Sequence, residues 1–377
     1  MNAAKLARNI GQALLAPLIA VIISALVTSV VVMVAGASVG DFWNVMLKVP
    51  SHRNIVNIVN QSSMIFLSAL AAAIGFRMNL FNIGIEGQYT LAGYAAALVA
   101  GAAWFPGKLN VLVALVVAVA VGAAWAGIAG LLKVTRGVSE VISTIMLNAI
   151  ATTLVGYLLS NHGDQYGQGR RTTPIPTSSQ LTGWMPWSRT DGAIWTLVIL
   201  AVLAGVVMSI VINRTRFGFD LRATGANQDA AIASGVNVKK MVVISMLISG
   251  GIAGLIWMPA LFGGADYYGP PFQRTLGFTG IAVALLGRNR PLGIMFGAVL
   301  FAWLSEQANP LGLVAGISPS VVQITQGVVV LAVVIAYEVV RRWMAVIEQR
   351  ELRAALDRDT GGGPAGPSGG VEQGAIA

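Results

Sequence analysis

The chain of 377 residues contains no cysteine and only two histidines. Without thiols there are no disulfides, thiolate nucleophiles or Cys-ligated metals, and no clue to redox compartment. His52 and His162 fall in expected loops, away from any metal-ligand or triad spacing, so both read as solvated loop residues and no metal site is assigned. A phosphate loop is missing as well. The nearest approach, Gly101…Gly107-Lys108-Leu109, has the wrong spacing and carries Leu where Ser or Thr must stand. No convergent set of reactive groups replaces it, so the chain is expected to be no enzyme, to hydrolyse no nucleotide itself and to need no cofactor. Charge is scarce too. Charged residues make up 10% of the chain and hydrophobic ones 56%, with mean hydropathy +0.74. So little charge cannot cover a soluble core of this size, which leaves lipid to do much of the covering. The short alternating segments of a membrane β-barrel are also absent. The expected fold class is an all-α polytopic membrane protein.

What is present is a series of about ten apolar stretches. The clearest, Leu14–Gly36, carries no charge over more than the about 20 residues a crossing needs. It is too long for a cleaved leader and is expected to be a retained first helix. Next come Ile55–Phe76, Gly84–Phe105, Leu109–Leu132, Val141–Ser160 and Ile194–Ile212. Met241–Phe262, Phe278–Gly287, Pro291–Ser305 and Ser320–Tyr337 complete the set. Phe278–Gly287 would rise only about 15 Å as a helix, half the hydrocarbon thickness, and fits a broken or re-entrant element. Counting it and its successor as two crossings or none leaves both termini on one side.

The Lys and Arg residues choose that side. With the N-terminus inside, the outer segments hold Lys48, Arg53, Lys108, Arg170, Arg171, Arg189 and Arg274, and every other one of the 24 lies inside. Both termini are therefore expected in the cytoplasm. The net charge of +9 is thus topological, and no basic–aromatic patch suggests nucleic acid. Gly122, Ala126 and Gly130 recur every four residues, as do Gly250 and Gly254, the spacing that lets helix backbones approach in lipid. The polar Asn161–Gly192 loop carries Trp184 and Trp187, which suit an interfacial anchor. Residues 1–340 read as the membrane domain. Residues 341–377 read as a tail, charged and then Gly/Pro-rich, partly disordered.

Within the inner loop from Asn213 to Lys240, residues Asn227 to Gly235 read as a complete short helix. Asn227 can cap it, Asp229 suits its positive end, and Gly235 supplies the left-handed stop. Such a helix between two spans is either a lever for an external motor or an ordinary ordered loop. A second polar group, Asn82, Glu86 and Gln88, stands at the start of the third stretch, and Asn148 lies within the fifth. Uncharged amides there suit a neutral, hydrogen-bonding solute. The alternatives are that Asn148 bonds across helices and that Glu86 pairs with Arg77 or Arg288. Ser139 with Glu140 reads as the cap of the fifth span.

Asp229-Ala230-Ala231 followed by Gly235 resembles the Glu-Ala-Ala-xxx-Gly loop of ABC importer permeases, with Asp keeping the charge on a shorter reach. The stretch Phe76 to Gln88, which reads FRMNLFNIGIEGQ, is similar to the nucleoside and simple-sugar branch of those permeases. So are Gly137–Asn148 and Thr279–Gly293, and the resemblance runs from about Gly75 to Ser305. It implies a permease subunit of an ATP-driven importer in the bacterial cytoplasmic (inner) membrane, moving a nucleoside, of purine type, into the cell. A simple-sugar permease and an ion-coupled secondary transporter are the alternatives, the latter resting on Glu86 alone. By resemblance, Asn227, Asp229, Ala230, Ala231 and Gly235 would couple to a cytoplasmic ABC ATPase, and Asn82, Glu86, Gln88 and Asn148 would line the pathway. The implied partners are that ATPase, a second permease subunit, an extracytoplasmic substrate-binding protein and membrane lipid.

Overall fold

The computed structural model describes residue 19 and residues 21–360, apart from 271, 315 and 319. Residues 14–18 and 20 of the expected first span lie outside the described residues, as do Lys5, Arg8 and the Gly/Pro-rich part of the tail. Helices α1 (Val21–Val34) and α2 (Val39–Met46) lead into α3 (His52–Arg77). Ser51 starts α3 by accepting the Asn54 N–H at 3.3 Å, and Arg77 stands in its last turn, where the helix dipole favours a cation. Next are α4 (Ile85–Ala102), α5 (Gly107–Arg136) and α6 (Glu140–His162). Gly137 ends α5 in the left-handed conformation, φ +67°, and its N–H returns to the Lys133 carbonyl at 3.1 Å.

The chain then forms a small hairpin, β1 (Asp164–Tyr166) and β2 (Gly169–Arg171), antiparallel with Asp164 opposite Arg171. Helix α7 (Val198–Arg214) bends by 73° into α8 (Arg216–Ala226), and α9 (Gln228–Ala233) follows. Helix α10 (Val238–Gly254) passes through α11 (Met258–Ala260) and a π turn, Leu261–Ala265. The last elements are α12 (Leu276–Leu286), α13 (Pro291–Ala308), α14 (Leu311–Val314) and α15 (Ser320–Thr360).

Among the described residues, six helices are long and apolar enough to cross a membrane: α3, α5, α6, Val238–Ala265, α13 and Ser320–Val340. The bent pair of α7 and α8 makes a seventh if it counts as one span. The remaining expected stretches coincide with α4, α12 and the described part of α1, and α12 is shorter than a crossing. At about 1.5 Å per residue, the 11 residues of α12 reach roughly 16 Å.

Packing divides the chain into a unit of Ala25–Val330 and a second made of its two terminal parts. In the second, Arg342 Nε donates to Glu338 Oε1 at 2.7 Å, one helical turn away. The first is organised around α3, almost wholly buried, against which α7, α10, α12 and α13 lie. Beside it α5 and α10 meet backbone to backbone. A Cβ on Gly122 would strike the Gly250 carbonyl oxygen, and one on Gly254 would strike that of Ala118. That is the close approach for which the four-residue spacing of small side chains is suited. A smaller apolar cluster joins Phe42 and Met46 of α2 to Leu304 and Leu311.

The 163–197 segment is more ordered than its polar composition suggests. Leu181 N–H reaches the Phe262 carbonyl at 3.1 Å, Ile175 N–H that of Asp266 at 2.7 Å, and Thr172 N–H that of Tyr268 at 2.9 Å. Arg171 stacks its guanidinium over Tyr166 at 4.2 Å and Tyr267 at 5.0 Å. Trp187 stacks flat on His52, centroids 4.6 Å apart, while Trp184 is exposed. The two histidines end helices rather than sitting in loops: His52 opens α3 and His162 closes α6.

Candidate functional site

After Arg77 the chain doubles back. Asn79 adopts φ +57°, a conformation Asn tolerates better than most residues, and Leu80 N–H returns to the Gly75 carbonyl at 2.9 Å. Residues 78–84 therefore climb along α3, and α4 begins beside it rather than beyond its end. Asn82 is buried there and pairs amide to amide with buried Gln88, at 2.9 and 3.1 Å. Its Nδ2 also donates to Ser249 Oγ at 2.8 Å, and Ser249 Oγ donates to the Ala71 carbonyl at 2.7 Å. From α6, Asn148 Oδ1 accepts the Gly87 N–H and Nδ2 donates to the Ile83 carbonyl, each at 2.8 Å. Asn148 thus bonds across helices, one of the two alternatives its sequence position left open. Four elements, α3, α4, α6 and α10, are pinned at the start of α4 by three amide side chains and one hydroxyl.

Glu86 stands one turn further on. Its Oε1 accepts the Thr275 N–H at 2.7 Å and the Tyr89 hydroxyl at 2.9 Å, while Oε2 accepts the Gly277 N–H at 2.9 Å. The carboxylate caps α12, where free N–H groups and the positive dipole end favour an anion. This corrects the expected ion pair with Arg77 or Arg288. Arg77 instead donates from Nε and Nη2 to the Asn289 carbonyl, at 2.9 and 2.8 Å, just beyond the other end of α12. A short helix is thus clasped at its N-terminus by an acid and beyond its C-terminus by a base, both from neighbouring segments. Thr275, the residue before α12, has φ +74°, costly for a β-branched side chain. Ser139 stands at the expected N-cap position of α6, but its hydroxyl makes no cap bond, and Glu140 pairs with Lys133.

The expected short helix in the 213–240 segment exists as α9. Asn227 Oδ1 accepts the Ala230 N–H at 3.0 Å. Gly235 has φ +83°, its N–H meets the Ile232 carbonyl at 2.9 Å, and Val236 N–H meets that of Ala231 at 2.9 Å. Asp229 and Ala230 face solvent, whereas Ala231 is buried. Sequence reading missed α8, although its signals are there: the Thr215 hydroxyl accepts the Gly218 N–H at 3.2 Å, and Phe217 and Leu221 fall four apart on its packed side.

Between the start of α4 and residues 266–275 lies an aromatic group that no single stretch of sequence announces. Phe272 packs on Tyr89 at 5.3 Å, Trp257 at 4.9 Å and Tyr268 at 4.4 Å, and Tyr94 meets Tyr268 edge-on at 5.7 Å. Just before it, burial lifts the Asp266 carboxyl above the usual carboxylate range, with Arg171 opposing the shift. The structure gathers Asn82, Glu86, Gln88 and Asn148 into one constellation; Asn227, Asp229, Ala230, Ala231 and Gly235 belong to a separate one on α9.

Residues 54–336 match the family model described as "Branched-chain amino acid transport system / permease component". The chain is 36% identical over 338 residues to a guanosine ABC transporter permease protein, NupP, of Bacillus subtilis, covering 86% of this chain and 94% of that one. It is 30% identical to a nucleoside ABC transporter permease protein, NupB, of Lactococcus lactis, over 87% of this chain and 93% of that one. A glucose ABC transporter permease protein, TsgB13, of Haloferax volcanii is 26% identical, with 94% and 93% covered.

Proposed function

Because the chain belongs to the branched-chain amino acid transport system permease family, in which it is a multi-pass membrane component rather than an enzyme, we propose that it forms the translocating subunit of an ATP-driven nucleoside importer. The observation that carries the solute is the 36% identity to a guanosine permease over nearly the whole of both chains. A purine nucleoside is the solute this favours. The 26% identity to a glucose permease supports a simple sugar as the second reading.

In this reading the chain crosses the bacterial cytoplasmic membrane ten times, with both termini in the cytoplasm. The six long apolar helices together with α1, α4, α7 and α12 supply the crossings. Helices α8 and α9 hang on the cytoplasmic side, and α9 presents Asp229 and Ala230 to a groove of a separate ABC ATPase. Asn227 and Gly235 fix the two ends of that helix, and buried Ala231 seats it. ATP binding and hydrolysis in the partner then push α9 and tilt the bundle. A second, different permease subunit completes the pathway, and an extracytoplasmic binding protein delivers the solute. Asn82, Gln88 and Asn148 serve the pathway by holding the start of α4 in place, and Glu86 by joining α4 to α12.

The test is uptake by the host cell with this chain's gene deleted and then restored. Labelled guanosine uptake should fall to background on deletion and return with the gene, while glucose uptake stays constant. Loss of glucose uptake alone would establish the sugar reading. Uptake that survives removal of the ATPase but collapses with an uncoupler would overturn the ATP-driven mechanism.

A further inference from the structure

A cleft of about 60 Å³ opens where α4, α6 and residues 266–275 converge. Glu86 and Thr90 border it from α4, Thr152 and Gly156 from α6, and Tyr268 and Arg274 from the connecting segment. Its polar groups are mostly uncommitted. Tyr268 is only 6% exposed, yet its hydroxyl has no hydrogen-bond partner among the described residues. The ring is buried, but the hydroxyl oxygen is not sealed in the interior and opens on the cleft. Among the same residues, the Thr152 hydroxyl and the Arg274 guanidinium also lack partners. Glu86 Oε2 accepts one bond, from Gly277, and keeps a lone pair. The Tyr268 ring is held in place by Phe272 behind it and Tyr94 at its edge.

These groups define a chemistry: a fixed aromatic wall, donors at Tyr268, Thr152 and Arg274, and an acceptor at Glu86. An aromatic wall with mixed donors and acceptors fits a flat heteroaromatic ring with amide-like edges. The volume holds about two waters, so the cleft takes one edge of such a ring and not a whole solute. Position adds to this. Helix α6 carries Thr152 and Gly156 on an exposed side, and a Cβ built on Gly156 meets nothing within 4 Å. The cleft is therefore open on that side. It also abuts the junction of α4 and α12, so an occupant would touch both clasped elements.

We propose that this cleft is the subsite that receives the base of the transported nucleoside, with Tyr268 as its wall and Glu86 and Arg274 reading its edge. The proposal rests on the nucleoside reading of the function and adds to it a place and a part of the solute.

The test uses the purified full transporter without its binding protein and measures binding of tritiated guanosine, with free ribose as competitor. Tyr268→Ala should weaken binding tenfold or more and Tyr268→Phe only a few-fold, and ribose should not compete. Gly156→Phe should fill the cleft from the open side and abolish binding and uptake while the chain still inserts. Wild-type affinity in both Tyr268→Ala and Gly156→Phe, in cells that still import guanosine, would overturn the proposal and leave the function standing. Ribose competing as well as guanosine would overturn it in favour of a sugar subsite. Cells in which the wild-type chain imports no guanosine would instead refute the underlying reading.

Discussion

Glu86 and Gly277 hold each other twice. The carboxylate accepts the Gly277 N–H at 2.9 Å, and the bare Cα of Gly277 makes room for the backbone of Glu86, whose nitrogen a Cβ there would approach to 2.5 Å. The acid that sequence places at the start of α4 is in structural terms the cap of α12, which begins 190 residues later.

Replacing that acid isolates its role. Glu86→Gln keeps one acceptor oxygen where the wild type uses two, so one of the Thr275 and Gly277 N–H groups loses its partner. An unpaired buried donor costs about 1–3 kcal/mol. The purified chain should lose that much stability in a detergent melt, and Glu86→Ala should lose more. Equal melting for wild type and Glu86→Ala would show that the cap contributes nothing.

Asn148 gives a second contrast. Asn148→Ala strands the Gly87 N–H and the Ile83 carbonyl, for a cost of about 1–3 kcal/mol each before relaxation. Because both amide atoms are occupied by backbone, the variant should lower the melting temperature and leave guanosine affinity unchanged. A large affinity change at unchanged stability would assign Asn148 to the solute instead.

The helix α9 tests the coupling. Ala231→Pro removes an N–H bonded to the Asn227 carbonyl at 3.1 Å, and a proline there deforms the helix. Asp229→Lys reverses an exposed charge without touching the packing. Both chains should insert, both should lose uptake, and both should fail to co-purify the ATPase. Full uptake in Asp229→Lys would remove Asp229 from the docking surface.

The glycine seam between α5 and α10 predicts a sharp dependence on one methyl group. Gly254→Ala sets a Cβ against the Ala118 carbonyl, and such overpacking costs typically about 1–3 kcal/mol. Gly327→Ala, where a Cβ meets open space, should cost far less. Their yields of folded protein, compared side by side in detergent, check this.

How much of this was legible follows from what each signal reports. Hydropathy reports whether a segment is sheltered from water, so among the described residues each of the ten apolar stretches overlaps a helix. It does not report which segments become full crossings, and α12 is apolar but short. Local chemistry is also readable: Asn227 and Gly235 bracket α9 because their partners lie within a few residues. Helix α8 escaped because its apolar side is only a few residues wide and hides inside a polar stretch. The hairpin at 164–171 escaped because its stability comes from Arg171, Tyr267 and backbone partners far along the chain. The aromatic group of Tyr89, Tyr94, Trp257, Tyr268 and Phe272 was invisible for the same reason, and so was the true partner of Glu86. A single sequence carries no trace of which distant segment a side chain will meet.

The seam where Gly122 meets Gly250 and Gly254 has a mechanical consequence. Two backbones in direct touch have no flexible side chains between them to yield, so α5 and α10 must travel together as a single plate. Any rearrangement that opens one end of the bundle and closes the other has to hinge elsewhere. Helix α6, which shows most of its surface outward, is fastened to that plate through Lys133 with Glu140 and Trp125 with the Leu147 carbonyl, and to α4 through Asn148.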